Sequence, residues 1–155
     1  MIRKAASADI AQAAEIFKQL HDIHVEANPN SFRTVSAEFF RSKLQEYLHE
    51  ENTTVFVSDE GGINAFAVVK VLAFNAEDEE RFPRRCCYLN CFAVDESCRR
   101  QGVGRELMEY IKKYAKENNC NTIQLGVSGF NKQARDFYRA MGFAERSVAM
   151  EQSID

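Results

Sequence analysis

The sequence predicts a mixed α/β domain, a sheet with helices on its faces, and three observations carry that prediction. Apolar residues switch between the three-to-four spacing of amphipathic helices and the tight runs of strands. The switches come in the order strand, two helices, three strands, helix, strand, helix, strand, which a mixed sheet accommodates. The chain has 155 residues, 45% hydrophobic and 28% charged, the size and balance of one globular domain. No internal repeat or low-complexity linker divides it, so residues 1–155 are expected to form a single domain.

After a short opening strand, Asp9 precedes Ile10, Ala13, Phe17 and Leu20 at helical spacing, with Gln12 placed to complete a capping box. This predicts a helix over about residues 10–26, ended by Pro29. Ser36 can cap a second helix carrying Phe39, Phe40, Leu44, Tyr47 and Leu48. TTVFVSDE, a glycine pair at 61 and 62, and INAFAVVKVLAF read as a hairpin. NAEDEERFPRR is a charged loop. CYLNCFAV, residues 87–94, is a strongly apolar strand, and a helix follows from about Val103 to Glu117 with Leu107, Ile111, Tyr114 and Ala115 on one stripe. NTIQLGVS is another strand. Asn131 caps a short helix running through Met141, Gly142 stops it, and FAERSVAMEQ reads as a final strand.

Composition excludes several classes of function. The net charge is −3, and no basic stripe offers the clustered cations that sustained nucleic-acid binding needs. The N-terminus lacks a signal-peptide core and no window has the apolar length of a membrane span. A cytoplasmic protein with no membrane or nucleic-acid partner is therefore expected. Cys86, Cys87, Cys91, Cys98 and Cys120 are odd in number and lack metal-site spacing, so they read as reduced thiols packed as small hydrophobes, with no metal. Cys91 is the candidate for a reactive exception.

The informative stretch is Arg99-Arg100-Gln101-Gly102-Val103-Gly104, between a buried strand and a helix. A helix N-terminus presents unpaired N–H groups and positive dipole, and the glycines let a diphosphate approach the backbone. A tight strand-to-helix turn is the alternative. Leu107 stands where a dinucleotide fingerprint wants a small residue. Arg105 and Glu106 follow Gly104 where a nucleotide P-loop wants Lys and Ser or Thr. A phosphate-bearing cofactor held by backbone amides, with Arg99, Arg100 and Arg105 nearby, is what remains.

Asn131-Lys-Gln-Ala134-Arg-Asp-Phe137-Tyr138-Arg-Ala-Met-Gly142-Phe143 lies in the second half. RRQGVG and this NxxAxxFYxxxGF segment together resemble the GCN5-related N-acetyltransferase (GNAT) family, and the element order agrees along essentially the whole chain. The resemblance implies a central, mostly antiparallel sheet flanked by about four helices. It implies that acetyl-CoA is the acyl donor, with its pyrophosphate cradled by Arg99, Arg100, Gln101, Gly102, Val103, Gly104 and Arg105. It further implies that backbone groups of Phe92, Ala93 and Val94 bind the pantetheine, that Asn131 contacts the cofactor arm, and that Tyr138 lies near the thioester sulfur. Tyr138 becomes the candidate general acid, since the chemistry expels a thiolate that a phenol can protonate. A helix-face aromatic packed on the sheet is the other reading.

The acceptor side is less defined. A primary amine is only about one part in a thousand neutral near pH 7.4, a handicap of about 4 kcal/mol that a base or a desolvating site must relieve. Asn90 and Cys91 stand where related chains often carry acids; Asn90 cannot be a base but can orient the amine or a water. His21 and His24 share a helix face, with Glu26 close behind, and imidazole is the side-chain type that changes charge near neutrality. Glu46, Glu50 and Glu51 read as solvated. The oxyanion needs a donor, which amides of the Phe92–Val94 strand can supply if a bulge exposes them. Glu77, Asp78, Glu79 and Glu80 form an acidic loop that could draw in a cationic acceptor.

These readings together predict an acetyl-CoA-dependent N-acetyltransferase acting on a small-molecule or peptide amine by direct attack in a ternary complex, with Tyr138, Asn90 and His24 as catalytic candidates. A Cys91 acyl relay is the rival chemistry. A catalytically silent acyl-CoA-binding or protein-interaction module with the same fold is the alternative of another class. The final strand also offers an edge that can pair or swap in a homodimer.

Overall fold

The computed structural model describes residues 1–74 and 80–154. Its elements are β1 (Ile2–Lys4), α1 (Ile10–Ala27), α2 (Ala37–His49), β2 (Thr53–Asp59), β3 (Ile63–Phe74), β4 (Arg84–Val94), α3 (Val103–Glu117), β5 (Thr122–Leu125) and α4 (Lys132–Ala140), with short 3-10 turns at Ser7–Asp9 and Glu96–Cys98. The sheet order is β1-β2-β3-β4-β5. Every neighbouring pair is antiparallel except β4 with β5, which is parallel.

Both faces of the sheet are covered, which explains the unbroken apolar runs of β2 and β3. Val55 and Val57 of β2 pack with Phe66 and Val68 of β3 against α1 and α2. Phe56, Ala65, Ala67 and Val69, pointing the other way by strand alternation, pack against Leu107, Met108 and Ile111 of α3. Phe56, Phe66, Leu44, Leu107 and Ile111 are fully buried.

Strand β4 changes parity part-way. Val68 lies opposite Cys91 and Val69 opposite Leu89, leaving Asn90 as the extra residue of a β-bulge. A one-residue insertion exchanges the faces of everything beyond it. Cys87 and Leu89 accordingly pack on the α3 side, whereas Cys91 and Ala93 pack on the α1 side and Phe92 and Val94 return to α3.

Helix termini follow the expected chemistry in part. Asn131 Oδ1 accepts the N–H of Ala134 at 3.1 Å, and Gly142 at φ 91° provides the left-handed stop. Asp9 and Gln12 act differently from the expected capping box. The Asp9 carboxylate accepts from Ala6 N and the Arg3 guanidinium, and Gln12 Oε1 accepts the N–H of Ile63 at 2.7 Å, tying α1 to β3. Ser36 holds the N-cap position with extended backbone but no side-chain bond.

Three expected strands need correction. β4 starts three residues earlier than residue 87, at Arg84, and NTIQLGVS yields only Thr122–Leu125. FAERSVAMEQ forms no strand within the protomer. Phe143 still packs beside Tyr138, but the following residues lie outside the core, with Val148, Met150 and Ile154 exposed. An alternating sequence becomes a strand only when a neighbour takes its hydrogen bonds, and none in this chain does among the described residues. Of the acidic loop, 77–79 lie outside the described residues. Among the described residues no helix is long and apolar enough to cross a membrane.

Candidate active site

The site is built by the parting of two parallel strands. β5 pairs with β4 only from Cys86 to Leu89, while β4 continues to Val94. From Asn90 onward the edge of β4 that faces away from β3 has no strand beside it among the described residues, and it opens on a cavity of about 310 Å³. β4 supplies Asn90, Cys91 and Phe92 to the wall. The end of β5 and the following loop supply Leu125, Gly126, Val127 and Ser128; α4 supplies Asn131, Ala134 and Tyr138; and α1 supplies Leu20 and His24. The structure thus brings together Tyr138, Asn90, His24, Phe92 and Asn131. His21 is outside the wall, where its Nε2 lies 2.8 Å from the carbonyl oxygen of Arg33.

His24 is oriented by its own helix. Its Nδ1 lies 3.0 Å from the carbonyl oxygen of Leu20. A carbonyl only accepts, so Nδ1 carries the hydrogen and, in the neutral ring, Nε2 keeps its lone pair. Phe32 and Phe130 meet the imidazole edge-on, with centroids 5.6 and 5.4 Å away.

Asn90 projects from the bulge and donates from Nδ2 to the hydroxyl of Tyr47 at 2.9 Å. The bulge therefore lies two residues before the Phe92–Val94 segment where an exposed amide was expected. Ala93 is buried against the α1 side, and only the backbone at that position can serve a ligand.

Burial pushes the Tyr138 hydroxyl up to about 12, with Cys91 adding in the same direction. Its ring sits among Phe92, Phe137 and Phe143 at 5.4 to 6.3 Å. The Cys91 thiol is pushed up to about 11 by burial, with Lys43, the Asn90 hydrogen bond and Lys70 pulling the other way. Both groups hold their protons at neutral pH. All five cysteines are free, and burial pushes Cys87 up to about 12.

The second half of the site is the N-terminus of α3, adjoining the cavity along β4. Gly102 is the N-cap at φ 89°, and Arg100 also takes a left-handed conformation at φ 61°. The first intrahelical bond runs from Glu106 N to Gly102 O, so the N–H groups of Val103, Gly104 and Arg105 have no helical partner. A Cβ at Gly102 would meet nothing within 4 Å, whereas one at Gly104 would come within 3.3 Å of Val94 Cγ2 and 3.5 Å of the Phe137 ring. Gly104 thus lets α3 approach β4 and α4, and Gly102 sets the turn. Arg99 donates from Nε to Val94 O at 3.2 Å, and Gln101 donates to Ser97 O at 3.0 Å. An open backbone cradle, three free N–H groups and flanking arginines fit a diphosphate. The free edge of β4 fits an amide-bearing chain leading from the cradle to the cavity.

Sequence reasoning missed the clasp that joins these halves. Gln19 of α1 donates to Asp95 Oδ2 at 3.0 Å and accepts the N–H of Glu96 at 3.0 Å. Hydrogen bonds from Ser97, then Gln19, hold the Asp95 carboxyl below the usual carboxylate range. Tyr47 was legible only as one apolar position of α2, yet it supports Asn90. Glu38 and Glu46 of α2 do not line the cavity, and Glu50, just past its end, pairs with Lys70 at 3.0 Å. Among the described residues, no cluster of side chains suits a metal ion.

The chain is similar in sequence and fold to known acetyltransferases. The model of the acetyltransferase (GNAT) family matches residues 17–143. The [ribosomal protein bS18]-alanine N-acetyltransferase of Escherichia coli strain K12 is 26% identical over 125 residues, covering 81% of this chain and 74% of that protein. The thialysine N-epsilon-acetyltransferase of Bos taurus is 33% identical over 65 residues, 42% of this chain but only 38% of the bovine protein. Among solved structures, a point mutant of the BH1408 protein of Bacillus halodurans superposes with a TM-score of 0.94 at 28% identity, covering 99% of both chains. Glucosamine-6-phosphate N-acetyltransferase from Arabidopsis thaliana shares the fold, with a TM-score of 0.69 at 21% identity over 100% of this chain and 98% of that one. With its cradle, its split sheet and a family match across most of its length, the chain belongs to the acetyltransferase (GNAT) family.

Proposed function

We propose that this protein is an acetyl-CoA-dependent N-acetyltransferase that transfers acetyl directly to a primary amine of a small molecule or peptide. The observation that carries the proposal is the convergence on one cavity of a histidine with an available Nε2, a bulged strand and a protonated buried tyrosine. The N–H groups of Val103, Gly104 and Arg105, with Arg99 and Arg100, would hold the diphosphate, and the free edge of β4 from Asn90 to Val94 would hold the pantetheine. Bound there, acetyl-CoA supplies an electrophilic thioester carbonyl.

His24 Nε2 accepts the proton that the acceptor nitrogen must lose for its lone pair to form the C–N bond. Backbone N–H groups beside the Asn90 bulge face the carbonyl oxygen as charge builds on it. Tyr138 donates its hydroxyl proton to the sulfur as the C–S bond breaks, and recovers one from solvent afterwards. Asn90, held by Tyr47, orients the amine. Direct transfer is favoured over a Cys91 relay because a thiol pushed up to about 11 offers little thiolate at neutral pH.

The test is release of free coenzyme A thiol from acetyl-CoA in the presence of a panel of polyamines, amino acids, aminoglycosides, sugar amines and peptides with free N-termini or lysines. Amine-dependent release with N-acetyl product is expected. Tight acetyl-CoA binding by calorimetry with no amine raising release above background would instead support a silent acyl-CoA-binding module.

A further inference from the structure

We propose that the acceptor is a primary monoamine carried on an aromatic or branched apolar body, selected by Phe32 and Phe130, a reading that rests on the transferase activity proposed above and narrows its substrate. Among the described residues, none that lines the cavity is Asp, Glu, Lys or Arg. Leu20, Phe92, Leu125 and Val127 give the wall its apolar area, and its polar side chains are neutral hydrogen-bonding groups such as Asn90, Ser128 and Asn131. Asp22 and Glu26 flank His24 in sequence, but neither lines the cavity, and Asp22 pairs with Lys18 at 2.7 Å. A polyamine or an aminoglycoside brings further ammonium groups that need carboxylates, and an amino acid brings a carboxylate that needs a cation. Each would give up water for a site without its counter-charge. A monoamine carries its single charge on the nitrogen that must lose a proton to react. Apolar surroundings favour the neutral form of that nitrogen, so the same wall that rejects additional charge eases deprotonation.

The apolar body has a place to lie. Phe32, Val127 and Phe130 are large hydrophobic residues left 39%, 41% and 45% exposed. Phe32 stands between α1 and α2, and Phe130 between β5 and α4. These two separate connections bring both rings against His24, at 5.6 and 5.4 Å, while Val127 lines the cavity itself. Open apolar side chains gathered beside a cavity mark a ligand surface. An amine that presents its nitrogen to His24 Nε2 carries its carbon body past these rings. An aromatic ring or a branched alkyl group covers them and takes apolar area out of water on both sides. A polyamine chain with a second ammonium would set that charge where no carboxylate lines the wall. The cavity of about 310 Å³ must also admit the thioester end of the donor, so the body is that of a single ring or a short branched chain and not of an oligosaccharide.

Thiol release from acetyl-CoA tests the proposal, with 2-phenylethylamine, isopentylamine, propylamine, spermidine, leucine and an alanyl peptide compared on the native chain and on the double variant Phe32→Ala, Phe130→Ala. The kcat/KM for 2-phenylethylamine and isopentylamine should exceed those for spermidine, leucine and the peptide at least about tenfold. In the double variant the KM for 2-phenylethylamine should rise at least about tenfold, with the KM values for propylamine and acetyl-CoA within about twofold of native. A fall in kcat shared equally by all amines would mean that the rings only support His24, and overturns their role in selection. A higher kcat/KM for spermidine, leucine or the peptide overturns the inference and leaves the transferase activity standing. Release with no amine at all overturns the transferase activity instead. Calorimetry of 2-phenylethylamine in the presence of coenzyme A then decides the pocket: binding that the double variant weakens about tenfold upholds it, and absence of binding overturns it.

Discussion

His24 Nδ1 sits 3.0 Å from the carbonyl oxygen of Leu20, one turn earlier in α1. That bond fixes which imidazole nitrogen is available to the cavity, and it needs nothing from Leu20 but its backbone. Replacing His24 by Gln or Ala should lower kcat by about 10²- to 10³-fold, the usual range for a positioned base. The KM for acetyl-CoA should change little, because the cradle lies at the N-terminus of α3. Steady-state thiol release at saturating amine measures both. A large rise in acetyl-CoA KM with kcat preserved would place His24 in binding rather than proton transfer.

Tyr138 and Cys91 titrate far above neutrality for the same reason, burial. Tyr138→Phe should reduce kcat about 10²-fold while leaving the calorimetric affinity for acetyl-CoA within about twofold. Cys91→Ala should keep near-native turnover and show no burst-phase acylation. The sign of the pH effect follows from the direction of the shift. A hydroxyl raised to about 12 stays protonated, and so competent as an acid, through the range where an ordinary tyrosine ionises. The kcat profile should therefore show no loss near pH 10 that Tyr138→Phe removes.

The cradle separates two glycines by function. Gly102 needs its left-handed φ of 89° and has open space beside it. Gly102→Ala should cost about 1 kcal/mol of stability from the conformation alone and weaken acetyl-CoA binding about tenfold, by filling the face the diphosphate approaches. At Gly104 a side chain meets Val94 and Phe137 first, so Gly104→Leu should lower Tm by several degrees as α3 is pushed from the sheet. Thermal melts beside calorimetry check the contrast. Unaltered acetyl-CoA affinity in both variants would remove the cradle from the site.

The elements that place the site were legible because local chemistry decides them. The period change at residue 53, the RRQGVG turn and the Asn131 cap each carry their own signal, and each stands where expected. What was illegible depends on partners distant in sequence. Nothing local marks Asn90 as a bulge, since the extra residue exists only relative to Val68 and Val69 on β3. Gln19 gives no hint that it will clasp Asp95, 76 residues away. FAERSVAMEQ has a strand's alternation, but alternation states a capacity to pair and not the presence of a neighbour. Gln12 and Asp9 had the residue types of a capping box, but Gln12 accepts the N–H of Ile63 across the fold and Asp9 turns back to Arg3 and Ala6.

Asp9 closes a charged clamp at the start of α1. Its carboxylate, mostly buried, accepts from Arg3 at 2.7 and 2.9 Å and from Ala6 N at 2.7 Å, while the same guanidinium reaches Asp59 at 2.7 Å. The Arg3 bonds hold the Asp9 carboxyl below its ordinary value against the opposing effect of burial. A depressed carboxylate adds stability that is full above its unfolded value of about 3.9 and is lost as pH falls through the lower folded value. Asp9→Asn keeps the volume but sets an amide against a guanidinium, so it should destabilise by about 1 to 3 kcal/mol at pH 7. Urea unfolding from pH 7 down to about pH 2 should show the gap between native and variant narrowing once pH drops below about 4. A gap constant with pH would mean that the loss comes from packing at the β1 to α1 junction and that the Arg3 pair contributes nothing measurable.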